Sequence, residues 1–173
     1  PNSGRVRIVL DPENPADFAL RLRIPSWATN ANVTVNGQPC GEAKAGTFLE
    51  VHRPWKRGDQ VELDLPMPWR LVQGRQRQAG RVAVMRGPQV FCLNPAQHPD
   101  LEKLDGTELG YLALDPASLS APVPNAAVRP DGLGCRVQAW KPGFGLSLKP
   151  DYELTLTEFP DPQGKATYFR LRD

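Results

Sequence analysis

The 173 residues carry a net charge of +2, with Lys and Arg spread along the chain, so nothing electrostatic points to nucleic acid. Hydrophobic residues make up 40% and charged residues 23%, ordinary for a globular chain, and no apolar run approaches the roughly 20 residues needed to cross a bilayer. Proline is unusual: 19 Pro beside 15 Gly exclude long helices, because each interior proline breaks one.

The elements follow in chain order. Arg5 to Leu10 alternates, with Val6, Ile8 and Leu10 on one face. Phe18 to Ile24 repeats the pattern, placing Phe18, Leu20, Leu22 and Ile24 inward and Arg21 and Arg23 outward; Pro25 then stops the ladder. Val33 and Val35 precede Asn36-Gly37, a hairpin-turn signal because both positions tolerate positive φ, and Thr47 to His52 is the expected return strand. Gly58-Asp59 turns the chain into Val61, Leu63 and Leu65, and Pro66 and Pro68 end that strand. Arg81–Met85 and Gln89–Leu93 form two more, joined by Gly87-Pro88.

Residues 95–130 carry many prolines and have room only for single helical turns near Asp100–Leu104 and Ala117–Leu119; they read as a long excursion over the surface. Gly134–Trp140 is a strand with Cys135, Val137 and Ala139 on one face. Leu146–Leu148, Tyr152–Leu156 and Ala166–Leu171 are further candidates. The fold expected is all-β: an antiparallel, jelly-roll-like sandwich with long proline-rich loops and only short helices. Residues 1–94 supply its core strands, 95–130 the excursion, and 131–173 the closing strands of the same domain. The chain opens at Pro1 with no methionine and reads as a piece of something longer, which leaves its cellular location open.

Chemistry is sparse. Cys40, Cys92 and Cys135 are far apart, no C-x-x-C pair exists and the two histidines stand alone, so no metal site is expected within the chain. The cysteines read as small buried hydrophobes; nothing in the spacing supports a Cys92–Cys135 disulfide, and the redox compartment stays open. Glu62 and Asp64 share a strand face about 7 Å apart, a spacing compatible with glycosidase carboxylates but ordinary for an exposed face. Glu50 with His52 is no different. No nucleophile-elbow or phosphate-loop motif occurs, so no catalytic residue is assigned.

Four tryptophans remain. Trp27, Trp55, Trp69 and Trp140 each lie at or beside a strand end, where an exposed indole could stack on a sugar and a buried one could close an open core. For Trp27 and Trp55 the plug is the better reading.

The strings "LRLRIPSWA", "VTVNGQP", "GTFLEVHRPWKRGDQVELDLPMPWRLV" and "GRVAVMRGPQVFCL", in that order, resemble the C-terminal sandwich region of the DUF1680 proteins, the family that includes bacterial β-L-arabinofuranosidases of glycoside hydrolase family 127. The ending "LTEFPDPQGKATYFRLRD" resembles the tail of one branch. The likeness covers residues 5–94 and, less specifically, 151–173; residues 95–150 match nothing recognised. It implies an N-terminal (α/α)6 barrel in the same polypeptide, holding a cysteine nucleophile in a zinc-bound cluster of cysteines and a glutamate. Cys40, Cys92 and Cys135 do not match that motif, so no cofactor is expected in this chain, although the parent barrel would bind zinc. The function implied is an accessory sandwich bracing or covering that barrel. The alternatives are an autonomous carbohydrate-binding module, using exposed tryptophans on an arabinose-containing or plant-derived oligosaccharide, and a structural or adhesive sandwich unrelated to sugar.

Overall fold

A computed structural model describes residues 2–101, 103–141 and 147–172. The chain divides into two compact units, Ser3–Pro68 and Trp69–Asp173, with Asn2 grouped with the second. Residue 94, where the sequence reading ended its core strands, follows directly on a strand inside the second unit.

The first unit holds β1 (Arg5–Val9), β2 (Ala16–Arg23), β3 (Asn32–Val35), β4 (Gln38–Pro39), β5 (Phe48–Trp55) and β6 (Gln60–Asp64). Four strands form one sheet in the order β1-β6-β3-β4, while β2 and β5 pair separately over eight residues, from Ala16↔Trp55 to Arg23↔Phe48. Asn36 (φ 50) and Gly37 (φ 80) make the expected tight turn, but its return strand is the two-residue β4. The stretch expected to return there, Thr47–His52, lies within or beside β5 and pairs with β2. Turn chemistry fixes where the chain reverses, and the long apolar face of β5 then takes the better-matched partner. The two sheets share one core, with Leu22, Val51 and Trp55 on one side and Val33, Val35, Val61 and Leu63 on the other. Val6 was expected inward; it is 43% exposed, because β1 is an edge strand paired only with β6. Phe18, at the start of β2, is also partly exposed, while Leu22 and Ile24 are buried as expected.

The second unit contains β7 (Trp69–Gln73), β8 (Val82–Arg86), β9 (Gln89–Leu93), α1 (Gly106–Leu109), β10 (Ala113–Leu114), β11 (Val123–Pro124), β12 (Leu133–Trp140), β13 (Tyr152–Glu158) and β14 (Tyr168–Leu171). Six of these close on themselves: β10-β14-β8-β9-β13-β12 and back to β10, with β7 and β11 attached outside the ring. Every pairing in the ring is antiparallel except β10 with β14. This is a small six-stranded barrel and not the jelly-roll sandwich expected from the sequence. Closure removes the free edges that a sheet of these short strands would leave.

The barrel interior is filled by Val84, Phe91, Leu93, Leu114, Cys135, Val137, Leu154, Leu156 and Phe169. The stretch expected to run over the surface contributes to the same core, since Leu101, Leu109, Leu112 and Leu114 are all buried and β10 completes the ring. Single turns do occur there, at Pro95–Gln97, Pro99–Leu101 and Pro116–Ser118. The longest helix among the described residues is α1, four residues held by a capping box: Asp105 Oδ1 accepts from the Thr107 and Glu108 N–H groups, and Glu108 Oε2 accepts from Asp105 N. Of the strand expected at Leu146–Leu148, Leu146 lies outside the described residues and Ser147 and Leu148 are not in a strand. The strands β7, β10 and β11 had no sequence signal of their own.

Candidate functional site

Trp27 and Trp55 belong to the first unit, Trp69 and Trp140 to the second. Trp55 is fully buried in the first core, its Nε1 donating to the Phe18 carbonyl at 3.0 Å. Trp27 is half-buried against the same core, less enclosed than a plug would be, because the Ser26–Trp27 turn lies at the surface. Trp69 is half-buried, edge-on to Phe91 with centroids 4.8 Å apart, and donates to Ser120 O at 2.8 Å. Trp140 is buried; its Nε1 donates to Ser147 O at 3.0 Å and the Arg172 guanidinium covers its ring at 3.6 Å. A sugar could not stack on Trp55 or Trp140 without displacing core or guanidinium contacts.

Glu62 and Asp64 do share a face of β6, and the register places cations opposite them: Arg7 opposite Glu62 and Arg5 opposite Asp64, with Thr34 and Asn32 on the other flank. Arg7 Nε is 4.0 Å from Glu62 Oε1, and Arg7 Nη2 donates to Gln60 Oε1 at 2.6 Å. A hollow of about 420 Å³ lies over these rows. A glycosidase acid needs a carboxyl held protonated by burial. Glu62 is exposed, with a guanidinium nearby, and Asp64 is exposed too. Glu50 and His52 are equally committed at the surface, Glu50 accepting from Arg21 Nε at 2.9 Å and His52 lying 3.3 Å from Asp17.

The carboxylates with perturbed environments are elsewhere and were not singled out by sequence. Glu158, 5% exposed, accepts from Arg129 Nε (2.8 Å) and Nη2 (2.7 Å), Gln89 Nε2 (2.9 Å) and Leu133 N (3.2 Å). The Arg129 hydrogen bonds hold its carboxyl below the usual range and outweigh burial. Burial pushes Asp161 upward, but donors at Gln163 N (2.9 Å), Asn94 Nδ2 (2.8 Å) and Thr157 Oγ1 (3.0 Å) more than offset it, leaving a net depression. Each oxygen of both carboxylates accepts at least one hydrogen bond from the protein, an arrangement that fixes loops.

The cysteines are free thiols. Burial pushes Cys135 up to about 12 and also raises Cys92, which lies 3.7 Å from Thr157 Oγ1, so neither is a thiolate nucleophile at neutral pH. Cys40 is half-buried, less enclosed than expected. Among the described residues no three of His, Cys, Asp or Glu converge as metal ligands.

Residues 1–67 match the family model for the middle domain of GH127 β-L-arabinofuranosidases, a match that ends at the boundary between the two units. Over 110 residues the chain is 36% identical to a non-reducing end β-L-arabinofuranosidase of Bifidobacterium longum, covering 57% of this chain and 16% of that protein. Over the matched residues the chain is similar to the middle domain of family-127 β-L-arabinofuranosidases. A solved glycoside hydrolase superposes on the entire chain with a TM-score of 0.78 and 27% identity, using 31% of its own length. A GH127 β-L-arabinofuranosidase from Geobacillus stearothermophilus T6 superposes on 99% of the chain at a TM-score of 0.72 and 23% identity, with 29% of its length covered, a likeness of fold. The chain therefore spans under a third of each relative.

Proposed function

We propose that this chain is a non-catalytic β region of a bacterial glycoside hydrolase resembling the β-L-arabinofuranosidases, bracing or covering an (α/α)6 catalytic barrel that precedes it in the same polypeptide. The observation that carries this reading is the end-to-end superposition on about three-tenths of a larger glycoside hydrolase. The chemistry agrees with it: the exposed carboxylates Glu50 and Glu62 face arginines, and the buried Glu158 and Asp161 are hydrogen-bonded by protein donors at both oxygens. The first unit corresponds to the middle domain and the second to the region C-terminal to it; the wider DUF1680 grouping belongs to the same proposal. The zinc and the cysteine nucleophile belong to the barrel.

The test is a comparison of the full gene product with a version ending just before this segment, alongside the isolated chain. The isolated chain should not hydrolyse aryl β-L-arabinofuranosides, with or without zinc, and the shortened enzyme should melt earlier than the full one. Turnover by the isolated chain that Glu62→Gln or Asp64→Asn abolishes would overturn the proposal.

A further inference from the structure

A second hollow, about 470 Å³, lies on the barrel unit and is lined by Phe159, Arg81, Lys165, Thr167 and Tyr168, among others. Phe159 is 58% exposed, although the same unit buries Phe91 and Phe169 completely. Its backbone is fixed, because Phe159 N donates to Val90 O at 2.8 Å beside β9, so the ring is held at the surface by the barrel itself. Lys165 is anchored in the same way, its N–H donating to Leu93 O at 2.9 Å.

The charge of this hollow is one-sided. Among the described residues, no carboxylate lines it. The Arg81 guanidinium is positioned over the Tyr111 ring at 4.3 Å and donates to Gln78 Oε1 at 3.1 Å, while Arg170 lies over the same ring at 4.4 Å. None of Arg81, Lys165 and Arg170 forms an ion pair among the described residues. An exposed aromatic face beside uncompensated cations, on backbone that cannot drift, is complementary to a ligand with both an apolar face and an anionic group. A neutral sugar would leave the cations unused, and a small free carboxylate would leave the ring unused. A pyranose bearing a carboxyl group uses both, and the volume lies within the range of small-ligand sites, roughly 300–1,000 Å³.

We propose that this hollow binds a uronic-acid-bearing saccharide, the sugar face stacked on Phe159 and the carboxylate held between Arg81 and Lys165. Such binding is independent of the accessory role above, since it uses residues of the barrel unit alone. Calorimetric titration of the full 173-residue chain with tri-galacturonic acid tests it, with galactotriose and citrate as the neutral and non-sugar arms. Tri-galacturonate should bind, and Phe159→Ala and Lys165→Met should each weaken it about tenfold or more. Both side chains are exposed, so melting temperatures should stay at the parent value. Galactotriose should give no measurable heat. Absence of tri-galacturonate binding would overturn the proposal, as would equal affinity for galactotriose. Citrate binding as tightly as tri-galacturonate, with both indifferent to Phe159→Ala, would reduce the hollow to a patch of positive charge and overturn it too.

Discussion

Asn36 and Asp59, 23 residues apart, hold each other's turns: the Asn36 amide donates to Asp59 Oδ1 at 2.9 Å while its carbonyl oxygen accepts from Gln60 N at 2.8 Å. The second Asp59 oxygen accepts from Lys56 N at 3.0 Å, closing the Lys56–Asp59 turn. Asp59→Ala opens both turns at once, and its melting temperature should fall further than that of Asn36→Asp, which keeps the acceptor for Gln60. Equal melting temperatures for Asp59→Ala and the parent would contradict this coupling.

The same bond sets a pH dependence. The Asn36 hydrogen bond leads the causes holding Asp59 below its ordinary 3.8, and Glu158 and Asp161 are depressed from 4.5 and 3.8. Between the folded and unfolded values the unfolded chain binds more protons, so stability rises with pH through that window. The chain should be fully stabilised by these groups above about pH 5 and lose that contribution progressively as pH falls below about 4.5. Asp161→Asn should be less stable at pH 7 and show a shallower loss on acidification. A melting temperature independent of pH between 3 and 6 would refute this.

Trp55 and Trp27 should separate by magnitude. Trp55→Ala empties a fully buried site and strands the Phe18 carbonyl, at a cost of about 3–5 kcal/mol. Trp27→Ala removes a half-buried ring and should cost about 1–2 kcal/mol. Denaturant midpoints decide the order. Equal costs would show that Trp27 closes the core as completely as Trp55 does.

Gly87 has φ +54 in the turn between β8 and β9, and its carbonyl accepts from Arg70 Nη2 at 2.7 Å. A β-branched residue is strained there, so Gly87→Val should destabilise by about 1–3 kcal/mol. Arg70→Met should cost less, because it leaves the turn conformation intact. An unchanged midpoint in Gly87→Val would exclude this account.

The thiols offer a count. Cys92 and Cys135 are buried with raised pKa values, and Cys40 is half-buried. A thiol reagent at neutral pH should label Cys40 in the folded chain within minutes, and all three cysteines only after denaturation. Rapid native labelling of Cys135 would contradict the closed barrel core.

What the sequence by itself determined was local: where the backbone alternates, where it reverses, and where it stops. Leu20–Ile24, Val33–Val35 and Cys135–Ala139 announce strands because side-chain period is a property of one strand. Asn36-Gly37 and Gly87-Pro88 announce turns because their φ preferences are intrinsic. The likeness to the family-127 middle domain, matched over residues 1–67, was legible in the same way, as residues in order. Tertiary structure decided the rest. Nothing in Phe48–Trp55 says that it will pair with Ala16–Arg23, and the two residues of β10 are too few to show a period, yet their pairings with β12 and β14 close the barrel. Burial is likewise a sum over distant neighbours. Trp55 disappears into a core built from four other strands, while Phe159, one residue past Glu158, stays in water because its backbone is tied to Val90. The partners that depress Glu158 lie 25, 29 and 69 residues away, so its environment exists only once the chain has folded.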